Sequence, residues 1–507
     1  MKSMLFAVLA FTMVGANASH ADDLTQAVNG WRSAHEPEIV GKLDALTRYK
    51  SIASDPPGLT AAATALEKEL ESRGFTADLL GSADAPPVVC ASLTVPGAKR
   101  TVTFYAHYDG QPVTPSQWSS DPFDPVMRSG PLGADMPAVD WKHAKPPFDP
   151  EWRLFGRAVA DDKTSIVAFL AAFDALKAIG RKPSVNIKVV WEGEEEAGSA
   201  HLAEILRANA AKLSSDLWLI GDAPVHQSRA PTLYFGARGM LGLEMTIYGP
   251  QRALHDGHYG NWAPNPAAMA AQLIAAMRGD DGSILIPGFV DGVRGLTQTE
   301  RSALAHVPPT EGALEQQFGI AGSESKDGLY ASLMRPALNI RGIRSGQVGA
   351  EAASAIPVDA VVSIDFRIVP DQTVAGVRAK FENFLLAQGW TIVSDAPDAA
   401  TRRAHPRIVK LAWKGGYPAL RSDMTSPAAR AVIATASKAA GKPLVVLPMM
   451  GASVPIYFFA ETFKVPVIGL PVVNHDDNQH AANENIRLQN LWDGIDTYAS
   501  LMGELGW

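Results

Sequence analysis

Cysteine is nearly absent from this sequence. The 507 residues include a single cysteine, Cys90, which excludes an internal disulfide framework and any cysteine-rich zinc module. Positive charge is also in short supply, with 45 Lys and Arg against 53 Asp and Glu and a formal net charge of −8. A mildly acidic chain has no electrostatic attraction to nucleic acid or to anionic lipid, so neither is expected as a partner.

Long apolar runs are missing after the first residues. Residues 4–15 are almost wholly apolar, but this run is shorter than the roughly 20 residues that span a bilayer. The positive Lys2 precedes the run, and small residues around Ala18 and Ala21 follow it, which is the order of a secretory signal peptide. We therefore predict a signal peptide over residues 1–21, a secreted or periplasmic location and no membrane anchor. A buried N-terminal helix is the alternative.

Apolar strand patterns alternate with helical patterns through the first half of the chain. Three of these strands end in residues that can bind metal: His107, the acidic run that begins at Glu192, and Asp222. Such alternation favours an α/β fold with a mostly parallel sheet covered by helices on both faces. Binding sites in these sheets lie beyond the carboxyl ends of the strands.

A β-α-β-β-α pattern begins near Gly236 and suits a small ferredoxin-like α+β domain inserted into the first. The sequence thus predicts a discontinuous catalytic domain over residues 22–236 and 405–507, and a lid domain over residues 237–404. The Pro- and Gly-rich residues 119–150 are predicted to form a long surface loop, a kind of segment that is usually functional or mobile.

His107 and Asp109 stand two residues apart at the end of an apolar strand. Residues at this spacing face the same way, so Asp109 can hold the His107 ring and fix which nitrogen is free to bind metal. A strand-end histidine in a polar loop is the simpler interpretation of this pair alone.

Two further acidic loops follow. Asp161, Asp162 and Lys163 precede a helix, where one aspartate is explained by capping but the whole group is not. Residues 192–196 hold four acids in five positions, which repel one another unless the loop is solvated or faces cations. Because the run lies where a catalytic loop of a parallel sheet belongs, we favour cations.

Asp222 and His480 complete a set of two histidines and three carboxylates, with further acids to spare. Imidazole and carboxylate ligands suit zinc, or manganese or cobalt. Two dications exceed three carboxylates by one positive charge, which a hydroxide neutralises. The donor count therefore fits a hydrolase with two metal ions about 3.5–4 Å apart.

Taken in order, the motifs are His-x-Asp, Gly-Arg-x-x-x-Asp-Asp-Lys, Glu-Glu-x-Gly-Ser, an Asp and a late His. This series resembles the co-catalytic dizinc metallopeptidase family, which includes carnosine dipeptidase, cytosolic nonspecific dipeptidase, glutamate carboxypeptidase and aminoacylase. The resemblance runs from about Leu43 to the C-terminus and is strongest to the dipeptidase branch.

The resemblance implies two Zn²⁺ ions, with Mn²⁺ or Co²⁺ as alternatives. By motif, His107, Asp161 and Asp222 would hold one ion. Asp161, Glu196 and His480 would hold the other, with Asp161 bridging the two.

The resemblance also assigns catalytic roles. Glu195 matches the general base, which takes a proton from the bridging water and returns it to the leaving amine, and Asp109 matches the carboxylate behind His107. His255 stands where the family has a histidine that reaches across a homodimer, built through the lid domain, and polarises the scissile carbonyl. His258 is the rival for this role, and a surface-loop histidine is the plainer interpretation.

Three residues match substrate-binding positions. Arg367 resembles the arginine that grips the substrate's C-terminal carboxylate, although an edge-strand salt bridge explains it equally well. Ser453 lies in a Gly-Ala-Ser-Val-Pro sequence that resembles the family's Gly-Gly-Ser-Ile-Pro turn. Tyr417 stands where the dipeptidase branch often has a histidine that helps to bind the carboxyl end.

The resemblance implies a peptidase that hydrolyses dipeptides, or C-terminal residues of short peptides, by means of a water between two metal ions, and the predicted signal peptide implies that it is exported. An N-acyl-amino-acid deacylase with the same metal site is the first alternative, so the expected partner is a small peptide or an N-acyl amino acid. A binding homologue without catalysis is the second. The longer segment between His107 and Asp161, and Ala158 in place of a glycine, leave the substrate open.

Overall fold

The computed structural model describes residues 23–81, 85–133 and 136–507. The predicted signal peptide, residues 1–21, lies outside these stretches. Within the described part of the chain, none of the helices combines the length and the apolar character that a bilayer crossing requires.

The first part of the chain alternates helices and strands. Its elements are α1 (Asp23–Ala34), α2 (Glu36–Thr47), α3 (Pro56–Ser72), β1 (Thr76–Leu80), β2 (Val88–Leu93), β3 (Thr101–His107), β4 (Val126–Arg128), β5 (Arg153–Phe155), α4 (Lys163–Ala178), β6 (Asn186–Glu192), α5 (Leu202–Ala208), α6 (Ala210–Leu213), β7 (Leu217–Ile220), β8 (Thr232–Tyr234) and β9 (Gly236–Ala237).

A middle segment forms a second sheet with its own helices. Its elements are β10 (Gly239–Tyr248), β11 (Leu254–His255), α7 (Asp256–Tyr259), α8 (Pro266–Met277), α9 (Gln298–Ala305), α10 (Glu311–Phe318), α11 (Leu329–Leu333), β12 (Ala337–Arg344), β13 (Ala355–Ile356), β14 (Asp359–Ile368), α12 (Val374–Ala387), β15 (Thr391–Val393), α13 (Ala399–Ala404) and β16 (Ile408–Tyr417).

The last part returns to the first sheet. Its elements are β17 (Leu420–Arg421), α14 (Pro427–Ala440), β18 (Val445–Leu447), α15 (Tyr457–Phe463), β19 (Val467–Gly469), β20 (Asn485–Arg487) and α16 (Leu488–Glu504).

An eight-stranded sheet in the order β1-β2-β6-β3-β7-β19-β8-β18 forms the centre of the larger domain. Strands β6, β3, β7 and β19 run parallel to one another, as do β8 and β18. The pairs β1-β2, β2-β6 and β19-β8 are antiparallel. The predicted α/β fold with a mostly parallel sheet is therefore confirmed.

Helices cover both faces of this sheet. Successive side chains of a strand point to opposite faces, so neighbouring residues of β3 contact different helices. On β3, the Phe104 ring packs on one face against Phe169 of α4 and Tyr498 of α16. Its neighbour Tyr105 packs on the other face against Phe459 of α15. The central strands are consequently buried on both sides, as their continuous apolar sequences require.

The lid domain is a five-stranded sheet in the order β12-β14-β10-β16-β15. Its chain order β10-α8-β12-β14-α12-β16 is the ferredoxin-like βαββαβ arrangement, so the predicted inserted α+β domain is confirmed. Alternate residues of β10, among them Leu243 and Met245, are buried in a core with Phe366 and Phe381.

The lid continues past residue 404, the boundary that the sequence predicted. Strand β16, Ile408–Tyr417, pairs with β10 along its length and so belongs to the lid sheet. A strand's pattern does not reveal which sheet it joins, because that depends on a partner far away in sequence. We therefore propose that the catalytic domain resumes after Tyr417 rather than at residue 405.

The segment 119–150 is predicted as a long surface loop, and about half of its described residues are exposed. Strand β4 lies in it and pairs with β5, which in turn pairs with β20. Met127, Trp141 and Phe148 are buried in the main core. The described part of the segment is thus a largely irregular surface stretch that three apolar residues fix to the catalytic domain.

Candidate metal centre

Two clusters of His and carboxylate side chains meet at the carboxyl edge of the parallel strands. Single ligand atoms of His107, Asp161 and Asp222 lie within 4.8 Å of one another, and so do those of Asp161, Glu196 and His480. Asp161 belongs to both groups. The structure thus brings together all five predicted ligands in the predicted arrangement, and their role as ligands remains a prediction.

The topology explains this convergence. His107 ends β3, and Asp222 comes directly after β7, so adjacent parallel strands deliver both to one edge of the sheet. Glu196 lies in a 3₁₀ turn after β6, which is the other neighbour of β3. Asp161 precedes α4, and His480 lies in the loop between β19 and β20.

Short distances connect the two groups through Asp161. His107 Nε2 lies 3.0 Å from Asp161 Oδ1, and His480 Nε2 lies 3.1 Å from Asp161 Oδ2. His480 Nε2 also lies 3.1 Å from Glu196 Oε2. Each oxygen of the Asp161 carboxylate therefore faces a different histidine, as expected for a carboxylate shared between two ions.

Asp109 links the two sides of the centre. One of its carboxylate oxygens, Oδ1, lies 3.3 Å from His107 Nδ1, and the other accepts a hydrogen bond of 3.0 Å from the Glu196 backbone N–H. Asp109 is buried, and its two oxygens contact the His107 ring and the loop that carries Glu196. This position agrees with the orienting role predicted for it.

The buried carboxyl groups of the centre favour the binding of cations. Burial raises the pKa of the Asp222 carboxyl to about 7, and the charge of Asp161 adds to this effect. Burial also raises the pKa of Glu195 well above its usual value, and the carboxylates of Asp222 and Glu196 raise it further. Burial opposes ionisation of Asp161 too, but hydrogen bonds with His107 and His480 lower its pKa overall.

These residues fit a pair of divalent ions. The donors are two imidazole nitrogens and three carboxylates, the set that zinc, manganese and cobalt accept in proteins. Buried acids that repel one another are stabilised when a cation lies between them. We find the donors, their spacing and their burial consistent with a dinuclear centre.

Glu195 lies beside this centre. With Asp161, Asp222 and His480 it lines a cavity of about 500 Å³. A carboxylate in this position is within reach of a substrate that enters the cavity, but it belongs to neither ligand group.

The three predicted substrate-binding residues also meet. Arg367 Nη1 donates a 2.7 Å hydrogen bond to Ser453 Oγ, and Ser453 lines the same cavity. Arg367 on β14 and Tyr417 on β16 both pair with Met240 of the strand between them, so the lid sheet sets them in one row. Arg367 Nε also donates to Asp365 at 2.8 Å, which fixes the guanidinium.

His255 is not part of this assembly within one chain. It lies on β11 of the lid, its side chain is 58% exposed, and its ring is 4.5 Å from that of His258. Its Nδ1 accepts a hydrogen bond from the Gly257 backbone N–H. Its predicted role in catalysis remains a prediction.

Three supporting residues have no signal in the sequence that sets them apart. Gln111 donates to Glu196 Oε2 at 2.7 Å, and Gln479 donates to Asp161 Oδ2 at 2.8 Å. Glutamines in polar loops are common, so only the contact identifies them.

Glu484 is the third supporting residue, and it ties the loop of Asp161 to the loop of His480. Its buried carboxylate accepts hydrogen bonds from the backbone N–H groups of Ala158, Ala160 and Asp161 and from the Arg157 side chain. Two segments that carry ligands are thereby held in fixed register.

Glu484→Gln is expected to destabilise the protein by about 3–5 kcal/mol, because it leaves the buried Arg157 charge without its partner. Urea unfolding of the metal-loaded protein measures this loss. Asp78→Asn, which removes an exposed ion pair with Lys212, is the matched control and is expected to cost less than about 1 kcal/mol. Equal losses for the two variants would contradict the role given to Glu484.

Comparison with known proteins agrees with the geometry. The model of peptidase family M20/M25/M40 matches residues 103–504. Cys-Gly metallodipeptidase dug1 of Schizosaccharomyces pombe is 27% identical over 452 residues, which cover 87% of this chain and 88% of that protein. The human Beta-Ala-His dipeptidase is 26% identical over 430 residues, which cover 83% of this chain and 78% of that protein.

Solved structures share the fold. The M20 family metallo-carboxypeptidase Sso-CP2 from Sulfolobus solfataricus has a TM-score of 0.74 at 25% identity, covering 92% of this chain and 98% of that chain. Human carnosine dipeptidase 1 has a TM-score of 0.73 at 22% identity, covering 96% and 99%. The second likeness is evidence of fold alone.

The comparisons correct one prediction. The Cys-Gly metallodipeptidases that this chain resembles are cytosolic enzymes, which contradicts the predicted secreted or periplasmic location. That prediction depended on the composition of residues 1–21, which lie outside the described residues. A short apolar run after a positive charge is a compositional pattern, and by itself it does not establish export.

The predicted resemblance to dinuclear metallopeptidases, and to their dipeptidase branch, is confirmed. Since the family match spans most of the sequence, the chain belongs to peptidase family M20/M25/M40 and is a metal-dependent peptidase.

Proposed function

We propose that the protein is a dipeptidase that hydrolyses the amide bond of dipeptides, or releases the C-terminal residue of short peptides. The observation that carries this proposal is the pair of ligand groups that share Asp161, set in one cavity with Glu195. The dipeptidases among the similar proteins support the substrate class.

The five ligands would hold two divalent ions, which we propose to be zinc, with manganese or cobalt as alternatives. Such a pair of ions supplies Lewis-acid polarisation of the scissile carbonyl and a more acidic water. Glu195 takes a proton from the attacking water and returns it to the amine when the C–N bond breaks. Asp109 keeps the His107 ring in the orientation that presents Nε2 to the centre.

The cluster of Arg367, Tyr417 and Ser453 would bind the carboxyl end of the substrate. An arginine held by a neighbouring carboxylate is oriented in advance, so little side-chain entropy is lost when a second carboxylate binds. Ser453 Oγ, which already accepts from Arg367, can donate its own hydrogen to the same substrate group.

Removal of metal tests the proposed function. Dialysis against a chelator is expected to abolish hydrolysis of a dipeptide such as Ala-Gly, because the ligand carboxylates then have no cation to bind. Addition of about two equivalents of Zn²⁺, Mn²⁺ or Co²⁺ per chain is expected to restore it. Turnover that persists in metal-free protein would contradict the proposal, and N-acetyl amino acids in the same assay test the deacylase alternative.

We further propose a homodimer through the lid domain, in which His255 acts in the partner's cavity. The exposure of His255, which belongs to neither ligand group of its own chain, supports this arrangement. A histidine there would donate a hydrogen bond to the carbonyl oxygen as charge develops on it.

Complementation tests the shared site. Protein with His255→Ala and protein with Glu195→Gln are each expected to be nearly inactive. After unfolding and refolding as an equal mixture, they are expected to regain about a quarter of the wild-type turnover, since about half of the dimers are mixed and each has one complete site. His258→Ala in place of His255→Ala is the matched control. Absence of recovery would contradict a shared site.

A further inference from the structure

One wall of the catalytic cavity has no part in the proposed reaction. His226, Gln227, Tyr330 and His475 line this wall, and the two histidines belong to neither ligand group. The wall combines the loop after Asp222, the helix α11 from within the lid sequence, and the loop that precedes His480. We call these four residues the side wall.

The hydrogen bonds of His226 fix its tautomer. The Ser228 backbone N–H donates to His226 Nδ1 at 3.1 Å, and the Ser228 hydroxyl lies 2.8 Å from the same atom. Because Nδ1 accepts the amide hydrogen, the neutral ring carries its proton on Nε2. Burial also lowers the pKa of His226, which favours the neutral ring.

The Nε2–H group of His226 is therefore a buried donor. The residue is only 2% exposed, and Nε2 has no hydrogen-bond partner among the described residues. A buried donor without an acceptor is costly, so such a group usually meets a ligand or a water.

The surroundings hold the His226 ring in place. The Tyr330 ring lies 5.2 Å from it between centroids, and the Tyr330 hydroxyl donates to Gln227 Oε1 at 2.7 Å. The amide nitrogen of Gln227 is thereby left as a second donor. His475 also has a buried ring nitrogen, Nδ1, without a partner in the described part of the chain.

We infer that the side wall is a specificity subsite for a substrate side chain that ends in a hydrogen-bond acceptor, a carboxamide or a carboxylate, with His226 Nε2–H as the selecting donor. The inference rests on the proposed function, which gives the carboxyl end of the substrate to Arg367. The selected side chain is then that of the N-terminal residue, which supplies the carbonyl group of the scissile bond.

A site built to hydrogen-bond a polar group rejects an apolar analogue, since its buried polar atoms are otherwise left unpaired. The side chains of Asn-Gly and Leu-Gly are similar in size, but only the Asn side chain ends in a hydrogen-bond acceptor. The wild-type metal-loaded enzyme is expected to favour Asn-Gly over Leu-Gly in kcat/KM by about tenfold or more. Asp-Gly shows whether a carboxylate is accepted as well as a carboxamide.

Two variants of one residue isolate the donor. His226→Phe keeps a ring but removes the N–H, and the preference for Asn-Gly is expected to fall by about tenfold. His226→Gln places an amide N–H near the position of Nε2 and is expected to restore most of the preference. Measurable turnover of Ala-Gly in each variant reports that the metal centre is folded.

The outcomes separate the two proposals. If the wild-type enzyme cleaves Ala-Gly, Leu-Gly and Asn-Gly with equal efficiency, the subsite is refuted and the dipeptidase function stands. If it cleaves no dipeptide, the proposed function fails and the subsite with it. A His226-dependent preference between Gly-Asn and Gly-Leu, in place of the one expected, would overturn the assignment to the N-terminal residue.

Discussion

Glu195→Gln is expected to lower kcat by about a hundred- to ten-thousandfold while the protein keeps its full metal content. The glutamine side chain has nearly the shape of glutamate but cannot accept a proton. Glu195 belongs to neither ligand group, so its replacement leaves all five proposed ligands in place. Steady-state kinetics on a dipeptide and elemental analysis of the same sample measure the two effects.

The neighbouring acid provides the matched control. Glu194 pairs with His201, through both the backbone N–H and the ring Nδ1 of that residue. Glu194→Gln removes a negative charge one position away, and we expect turnover within a fewfold of wild type. Normal turnover of Glu195→Gln, or an equal loss in Glu194→Gln, would show that Glu195 is not the base.

Asp161→Asn is expected to cause the loss of both ions, and turnover with them. Each oxygen of this carboxylate faces a different histidine, at 3.0 Å from His107 and 3.1 Å from His480. An amide has one oxygen and no charge, so it cannot serve both groups. Even residues that only support a ligand change metal affinity by about ten- to a hundredfold, and a shared ligand is expected to exceed this.

Variants of residues that belong to only one ligand group serve as the comparison for Asp161→Asn. Asp222→Asn and Glu196→Gln each remove a charge from one group only, so each is expected to weaken one ion and to leave the other bound. Elemental analysis after dialysis, with calorimetric titration of Zn²⁺ into the metal-free protein, counts the remaining sites. Two tightly bound ions in Asp161→Asn would contradict the shared role of Asp161.

The side wall adds a question of substrate choice to this common chemistry. In the proposed mechanism, the ligand groups and Glu195 act on the amide bond, which all peptides share. His226 and Gln227 line the same cavity and, in the inference above, act on the side chain, which differs between substrates. Selectivity and turnover are thus carried by separate side chains, which is why they can be tested by separate variants.

Much of the centre was determined by the sequence itself. Ligand-type residues directly after apolar strands predicted a site at the carboxyl edge of a parallel sheet, because parallel strands deliver their ends to one edge. The spacing of His107 and Asp109 predicted their shared face. These inferences need only the local period of a strand and the rule for where such sheets bind ligands.

Tertiary structure alone decided the rest, because it depends on contacts between distant segments. Gln479 meets Asp161 across 318 positions of sequence, and Glu484 meets the Asp161 backbone across 323. Strand β16 belongs to the lid sheet because it pairs with β10. Its own residues do not reveal this partner. The tautomer of His226 likewise could be inferred only from the structure, because it depends on the burial of the ring and on its hydrogen bond with the Ser228 backbone N–H.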